Sequence, residues 1–369
     1  MTHTPSKPDR VTSTPASTSA SLSISRRDDD PAHSDFLSRR HCLRSGLAMA
    51  AAGASMTVAA ADPATAASTA TGTPPSTAPG AIVRPSAQGR FWPEGIRLVI
   101  SVSMQFEAGA QTEHGNGSPY APMNPADGPD LPARTWFDYG WREGIPRLLD
   151  LWDRHGVKVT SHMIGRAVEL QPALAKEIVS RGHEAAAHGQ TWEPHWTMTE
   201  AQERASYQAN IDAIQRATGV RPVGFNAYWM RGTPRTLGVL QSLGFAYHID
   251  DVSADEPMLT EVHGKPFGIV PYTLRCNDIA RLGAEGPMTA AAFAQELKDE
   301  FDVLYEEAGR RRRMMSVSTH DRIGGTPARV KALGDFLRHA ASHPGVAFVR
   351  KDQIARWALE LPNVPRKRS

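Results

Sequence analysis

The region after about residue 90 alternates short apolar runs with longer stretches of helical spacing. Residues 96–103 are apolar and β-branched, which predicts a buried strand. Apolar side chains repeat every three or four residues over 145–152, which predicts a helix that Gly156 ends. Further strands are predicted at 157–160, 183–188, 245–249, 314–319 and 346–349. Further helices are predicted at 172–181, 199–218 (with Thr199 as N-cap), 233–243, 293–308, 327–341 and 354–359. This alternation indicates an α/β domain with a mainly parallel sheet, open or closed into a barrel.

Polar and aromatic residues follow the predicted strands in five segments. In parallel α/β folds the carboxyl ends of the strands form one edge, and active sites lie there. A single histidine after a strand is more often structural than catalytic, but five such segments favour a site. The candidate residues are Glu107, His188, Trp192, Asn226, Arg231, Asp250, Asp251, His320 and Asp321.

The N-terminal region does not have the composition of a folded domain. Residues 1–37 are rich in Ser, Thr, Pro and Asp and are predicted to be disordered, because they cannot bury enough apolar surface. Residues 38–66 resemble a twin-arginine export signal, in which Arg39 and Arg40 precede a weakly apolar run and alanine-rich cleavage sites. We therefore expect a periplasmic or secreted protein that leaves the membrane after cleavage, since the run is too short for a permanent span. The remaining predicted divisions are a linker at 67–90, the folded domain at 91–360 and a basic tail at 361–369.

Charge and cysteine content exclude several classes of partner and site. The sequence has 41 Lys and Arg against 39 Asp and Glu, a formal net charge of +2. Binding to nucleic acid or to an anionic membrane through bulk charge is not expected, and the four arginines at 310–313 are typical of a solvated helix end. The two cysteines, Cys42 and Cys276, are too few for a disulfide scaffold or a cysteine-rich zinc module.

Several short motifs resemble those of polysaccharide deacetylases. The segment 182–188 matches a G-H-E-x-x-x-H pattern, 221–224 matches R-P-x-G, and 244–250 matches G-F-x-Y-x-x-D. The segment 313–346 resembles the metal-independent allantoinase branch of that family. The resemblance covers about 91–360. It implies a distorted (β/α) barrel of the polysaccharide-deacetylase type, hydrolysis of a non-peptide C–N bond, and a homo-oligomer.

Two positions depart from the metal-dependent members of the family. Those members carry an F-D-D-G segment, whose second Asp binds metal, and an H-T-x-x-H segment with two His ligands. Here Ala108 stands at the metal-binding Asp position and Trp192 at the second His position, and His195 has the wrong spacing to replace it. Zinc normally needs three protein ligands, so His188 alone is not expected to hold it. The prediction is a site without a metal, with zinc or another divalent ion as the alternative.

These substitutions favour a more reactive substrate than an acetamide. Without a Lewis acid, a cyclic ureide or imide is more easily attacked than an unactivated acetyl group. The sequence therefore predicts hydrolysis of a small cyclic amide or ureide by general acid and base catalysis. Two alternatives stay open. One is an exported metal-dependent N-deacetylase of chitin or peptidoglycan, and the other is a non-catalytic protein that binds carbohydrate or ureide.

The predicted mechanism assigns a role to each candidate. Glu107 positions or deprotonates water, with burial raising its pKa. His188 polarises the carbonyl or holds the substrate, and His320 protonates the leaving nitrogen while Asp321 orients it. The substrate contacts are predicted at Asn226 and Arg231 as oxyanion donors, Trp192 with Tyr228 and Trp229 as an apolar wall, and Asp250 and Asp251 as a contact or a structural turn. Core packing is the alternative for these three aromatic residues, above all for Trp229.

Overall fold

The computed structural model describes residues 91–93, 95–107, 109–111, 117–121, 123–279 and 288–367. The predicted disordered extension, export signal and linker lie outside these residues, as does Ala108. Within the described part of the chain, no helix is both long and apolar enough to cross a membrane.

Nine strands form one curled sheet in the described residues. They are β1 Leu98–Phe106, β2 Thr160–Met163, β3 Glu184–Ala187, β4 Gly224–Phe225, β5 Tyr247–His248, β6 Met258–Val262, β7 Lys265–Ile269, β8 Met314–His320 and β9 Val346–Phe348. The order across the sheet is β6-β7-β5-β4-β3-β2-β1-β8, and β9 pairs with the first residues of β1. All pairs are parallel except β6 with β7.

The barrel is distorted because no described strand pairing joins its two edge strands, β6 and β8. Instead, Asn277 forms a single bridge with Ser318, and Met314 donates its backbone N–H to the Asp255 carbonyl at 2.8 Å. Irregular segments thus cover the open side of the sheet beside β8. The predicted α/β fold and its distorted barrel are confirmed.

Ten α-helices flank the sheet in the described residues. They are α1 Leu131–Tyr139, α2 Ile145–His155, α3 Gly165–Leu170, α4 Pro172–Ser180, α5 Glu200–Thr218, α6 Thr236–Ser242, α7 Ala290–Glu307, α8 Asp321–Gly324, α9 Pro327–Ala341 and α10 Lys351–Glu360. The local sequence explains where several of these helices begin or end. Thr199 caps α5 in a capping box with Gln202, as predicted, and Gly156 ends α2 in the left-handed conformation.

The two faces of β1 have different chemistry. Leu98 and the even-numbered residues through Phe106 belong to the core formed with the surrounding helices. From Ser101 to Gln105 the alternate side chains are polar: Lys351 Nζ donates to Ser101 Oγ at 3.0 Å, and Gln105 donates to Ser318 Oγ at 3.4 Å. Because side chains alternate along a strand, one face packs on helices while the other forms a polar interior that leads to Glu107.

Several elements differ from the sequence prediction, among them the short helices α3 and α8, which were not predicted. The strand predicted at 157–160 begins only at Thr160. The hairpin β6–β7 was not predicted; its two-residue turn places His263 and Gly264 at positive φ, 46° and 73°. The helix α1 was also not predicted, because Pro132 and two aromatic residues obscure its short apolar stripe.

A close backbone contact holds α8 against the turn between α1 and α2. Gly140–Gly144 form a π-helical turn, and a Cβ at Gly144 would overlap the backbone carbonyl of Asp321. Replacing Gly144 by Ala is therefore expected to lower the free energy of unfolding by about 1–3 kcal/mol, as overpacking does. Gly232→Ala is the control, since its added Cβ would meet Thr236 at an ordinary 3.4 Å. Urea denaturation of both variants checks this, and equal stability would contradict the contact.

Candidate active site

The carboxyl ends of the parallel strands surround a cavity of about 320 Å³. Its walls include most of the residues that the sequence placed after strands. Those that line it are Glu107, His188, Trp192, Asn226, Trp229 and His320, together with Gln105, Tyr272 and Arg322. The structure thus brings five of the nine candidate residues together at the carboxyl edge of the sheet.

Glu107 is fully buried and forms an ion pair with Arg322. The Arg322 Nη1 donates to Glu107 Oε2 at 2.8 Å. The guanidinium lies 4.9 Å from the Trp136 ring centroid and 5.1 Å from that of Phe137, so aromatic rings of α1 hold it in place. A fixed cation therefore lies directly beside the buried carboxylate.

Asp321 supports this pair rather than His320. Its Oδ2 accepts the backbone N–H of Glu107 at 3.0 Å, and its Oδ1 accepts the backbone N–H of Arg322 at 2.7 Å. The prediction that Asp321 orients His320 is wrong. At the start of α8, its carboxylate is directed back toward the end of β1.

Asp278 is the residue that orients His320. Its Oδ1 accepts from His320 Nδ1 at 2.7 Å, and its Oδ2 accepts the backbone N–H of His320 at 2.8 Å. Because Nδ1 donates to the carboxylate, Nε2 is directed toward Glu107 Oε1, 3.7 Å away. This is the arrangement in which a carboxylate fixes the tautomer of a catalytic imidazole.

His188 is fixed in a parallel way by a neutral acceptor. Its Nδ1 donates to the Asn226 carbonyl at 2.7 Å, which leaves Nε2 facing Glu107 Oε1 at 3.3 Å. Two imidazole Nε2 atoms therefore approach the same carboxylate oxygen. One imidazole is held by a charged group and the other by an uncharged one.

The charges around Glu107 decide its protonation. Burial would raise the pKa of Glu107, but the positive charges of His320 and Arg322 hold that pKa well below its ordinary value. The predicted rise in the pKa of Glu107 is wrong, because it followed from burial alone and the neighbouring positive charges outweigh burial. Burial lowers the pKa of His320, but the Glu107 and Asp278 carboxylates outweigh it and the net pKa is raised. The site thus favours a carboxylate beside a protonated imidazole.

Asp250 supports the loop behind His188. Its carboxylate accepts from Asn226 Nδ2 at 2.7 Å and from the Ala227 backbone N–H at 3.0 Å. Asp251 faces elsewhere and pairs with Ser253 and Lys367. Both carboxylates thus have partners within the protein and neither lines the cavity around Glu107, while the substrate contact stays a prediction.

Aromatic residues form one wall of the cavity and extend to its rim. The Trp192 ring lies 5.4 Å from His188 and 4.6 Å from Tyr228, edge to face, as predicted for a wall. Trp229 is stacked on Tyr228 and is 58% exposed, so core packing is the wrong alternative for it. Arg231 is exposed above the Trp229 ring, at 5.8 Å, and does not line the cavity. Its predicted role as an oxyanion donor is therefore not supported by its position.

The residues present do not fit a divalent metal in this cavity. Among the described residues, the one group of three His or carboxylate side chains with ligand atoms within 4.8 Å of one another is Asp302, His339 and His343, outside the cavity. Trp192 fills the space next to His188 with an indole, and Arg322 already supplies positive charge to Glu107. His195 is buried beside Tyr207 and is no displaced ligand of this site.

Asp278 and Arg322 contact the candidates His320 and Glu107 but were not predicted from the sequence. Asp278 lies in an irregular segment without a preceding predicted strand, so nothing in its local pattern indicated a role. Arg322 stands directly after His320 and Asp321, and this adjacency was the available signal. The position of the Arg322 guanidinium depends on the rings of Trp136 and Phe137, which belong to α1, a helix that was not predicted.

Known proteins share this fold over most of their length. A polysaccharide deacetylase family model matches residues 132–248. A solved Pseudomonas aeruginosa PAO1 protein, described as a probable polysaccharide deacetylase, is 33% identical with a TM-score of 0.68, over 73% of this chain and 94% of that one. Solved PuuE allantoinase is 31% identical with a TM-score of 0.68, over 74% and 94%. A Helicobacter pylori peptidoglycan deacetylase is 26% identical over 261 residues, 62% of this chain and 87% of the relative. The chain therefore belongs to the polysaccharide deacetylase superfamily and is similar to its allantoinase-like branch.

Proposed function

We propose that this protein hydrolyses a C–N bond of a small cyclic amide or ureide without a catalytic metal. One observation carries the proposal: Glu107, paired with Arg322, faces the Nε2 atoms of both His188 and His320. This arrangement offers a water-binding oxygen, a base and an acid at one point of the cavity. It provides the proton transfers of amide hydrolysis without a three-ligand metal site.

In the proposed reaction, His188 is neutral with its proton on Nδ1, and a water molecule in the cavity donates hydrogen bonds to both Glu107 Oε1 and His188 Nε2. The water oxygen forms a bond to the substrate carbonyl carbon while its proton passes to His188. The C–N bond then breaks, and His320 Nε2–H protonates the departing nitrogen. Proton return from His188 to His320, through solvent or the intervening carboxylate, resets the site. Glu107 thus positions water, since its low pKa makes it a weak base.

The shape and chemistry of the cavity support a small cyclic substrate. A volume of about 320 Å³ is at the lower end for ligand pockets. The Trp192 indole offers an apolar face to a flat ring. A cyclic ureide or imide has a more electrophilic carbonyl than an acetamide, so it reacts without the several kcal/mol that a metal supplies. Similarity to PuuE allantoinase, whose name indicates a cyclic ureide substrate, supports the same class.

A second candidate is N-deacetylation of an extracellular glycan. The export signal predicted at 38–66 and the similarity to a peptidoglycan deacetylase favour it. The cavity chemistry opposes it, because the cavity residues do not fit a metal and an unactivated acetamide is a poor electrophile without one. A third candidate, ligand binding without catalysis, would leave the paired acid and base groups without a function.

A substrate panel tests these candidates. Purified protein is assayed on allantoin, a dihydropyrimidine and a cyclic imide, and on N-acetylated chitin and peptidoglycan fragments. We expect turnover of at least one cyclic compound and none of the acetylated glycans. Turnover of the glycans alone would overturn the proposal, and tight binding of a ring compound without turnover would favour a binding protein.

The pair of His320 and Asp278 predicts a specific pH dependence. Activity needs protonated His320, so it declines as pH rises through the raised pKa of that imidazole. Asp278→Asn removes one of the charges that raise this pKa, so the alkaline limb of the kcat/KM profile should move to lower pH. We expect kcat/KM at the optimum to decrease by about 10- to 100-fold. The exposed Asp299→Asn is the control, and an unmoved alkaline limb in Asp278→Asn would contradict the assignment.

A further inference from the structure

We propose that Asp302, His339 and His343 form a surface site for a divalent transition metal, remote from the cavity. The ligand atoms of these three side chains lie within 4.8 Å of one another. Two imidazoles and one carboxylate suit zinc, nickel, cobalt or copper rather than calcium or magnesium, which prefer oxygen ligands. This inference does not rest on the proposed hydrolytic function.

The helical spacing brings the ligands together. His339 lies in the last turn of α9, and His343 follows four residues later, just after the helix ends. Their ring centroids are 4.9 Å apart, as expected for residues on one helix face. Asp302 comes from the neighbouring helix α7, and its Oδ1 lies 2.7 Å from His339 Nε2. A metal would replace this ion pair and link the two helices.

Hydrogen bonding and packing prepare His343 to act as a ligand. Its Nδ1 donates to the His339 carbonyl at 2.9 Å, with Ser342 Oγ 3.4 Å away, and this leaves a lone pair on Nε2. The ring packs 4.9 Å from Phe301 and 5.0 Å from Tyr305. Tyr305 is fixed in turn, because its hydroxyl donates to the Pro344 carbonyl at 2.9 Å. The imidazole is therefore held before a metal arrives.

The surroundings allow metal entry and favour positive charge. The Asp302 side chain is 54% exposed and that of His339 is 28% exposed, so water can complete the coordination. The last turn of a helix also carries partial negative charge, which attracts cations. An ion pair between Asp302 and His339 alone would explain the short contact between them. It would not explain why His343 is fixed with its free nitrogen beside them.

The site lies at the end of the barrel opposite the cavity. α9 begins just after His320 and Arg322 at the cavity edge, and it ends where the chain enters β9 at the start of the sheet. A metal bound there cannot take part in the hydrolysis. It would, however, appear in the metal content of the purified protein and be mistaken for a catalytic ion.

The test is calorimetric titration of the full chain, prepared without a histidine tag, with zinc chloride and with nickel chloride. We expect one equivalent of metal to bind to the unsubstituted protein. His343→Ala and the more conservative His343→Gln should each weaken binding by about tenfold or more, with unchanged hydrolytic activity. His155→Ala, on α2, is the matched control and should bind as the unsubstituted protein does.

Two results would overturn the site: the absence of metal binding to the unsubstituted protein, or equal affinity in both His343 variants. Glu107→Gln should leave the titration unchanged. If it abolishes binding instead, the metal occupies the cavity and this site is wrong. Thermal unfolding of each variant without metal confirms that loss of binding does not come from misfolding.

Discussion

Replacing Glu107 by Gln is expected to reduce kcat/KM for the cyclic substrate by about 10²- to 10⁴-fold. Gln has nearly the same shape, and its amide oxygen can still accept from Arg322. It removes the charge that holds water and keeps His320 protonated. The loss should be mainly in kcat, because the carboxylate acts on the attacking water rather than on the bound ring. Steady-state kinetics at several pH values measures this.

The control for Glu107 is a carboxylate outside the cavity. Glu261 is exposed on β6, and Glu261→Gln should retain full activity. In the Glu107 variant, the alkaline limb of the kcat/KM profile should also lie at lower pH than in the unsubstituted protein. One of the charges that raise the pKa of His320 is absent from this variant. Activity within a few-fold of the unsubstituted protein would remove Glu107 from the mechanism.

Replacing Arg322 by Met is expected to lower the free energy of unfolding at pH 7 by about 3–5 kcal/mol. The guanidinium is 2% exposed and neutralises a carboxylate that is 1% exposed, so its removal leaves Glu107 buried with too little compensating charge. Activity should also be lost, because the pKa of Glu107 rises and the water-binding oxygen becomes protonated more easily. Urea denaturation followed by circular dichroism gives the stability.

The pH dependence of this stability difference has a definite sign. In the unsubstituted protein the pKa of Glu107 is depressed, so its ionisation stabilises the fold at pH values above the pKa of an unfolded glutamate. That contribution is lost as pH falls through the folded pKa. The difference between the unsubstituted protein and Arg322→Met should therefore be largest near neutrality and should shrink on acidification.

Two further variants separate charge compensation from packing. The double variant Glu107→Gln with Arg322→Met should recover about 1–3 kcal/mol relative to the sum of the single changes, since it removes both buried charges. Arg216→Met, at an arginine whose side chain is 65% exposed, should change stability by less than about 0.5 kcal/mol. Simple additivity of Glu107 and Arg322 would contradict the buried pair.

Much of the cavity could be predicted from sequence because each of its central residues follows a buried strand. Glu107 comes directly after β1 and His188 directly after β3, while His320 ends β8. Parallel strands bring such positions to one edge, so their meeting required no knowledge of the loops. The alternation of strands and helices was likewise readable from periodicity.

The remaining features depend on contacts between distant elements. The pKa of Glu107 is lowered by His320 and by Arg322, which is 215 residues away in the chain. The orientation of His320 depends on Asp278, which lies in an irregular segment. Arg231 follows a turn in which Trp229 and Met230 adopt positive φ, 51° and 58°, and this turn directs the arginine to the surface. Local sequence patterns do not determine the contacts and orientations of these side chains, because packing between distant elements sets them.

Metal dependence is the most direct test of the proposed mechanism. The His343→Ala protein, which lacks the proposed surface site, is stripped with chelator until metal analysis finds far less than one equivalent. The mechanism predicts that hydrolysis of the cyclic substrate then proceeds with undiminished kcat/KM and that added zinc does not increase it. Loss of activity on chelation with recovery on adding zinc would contradict it.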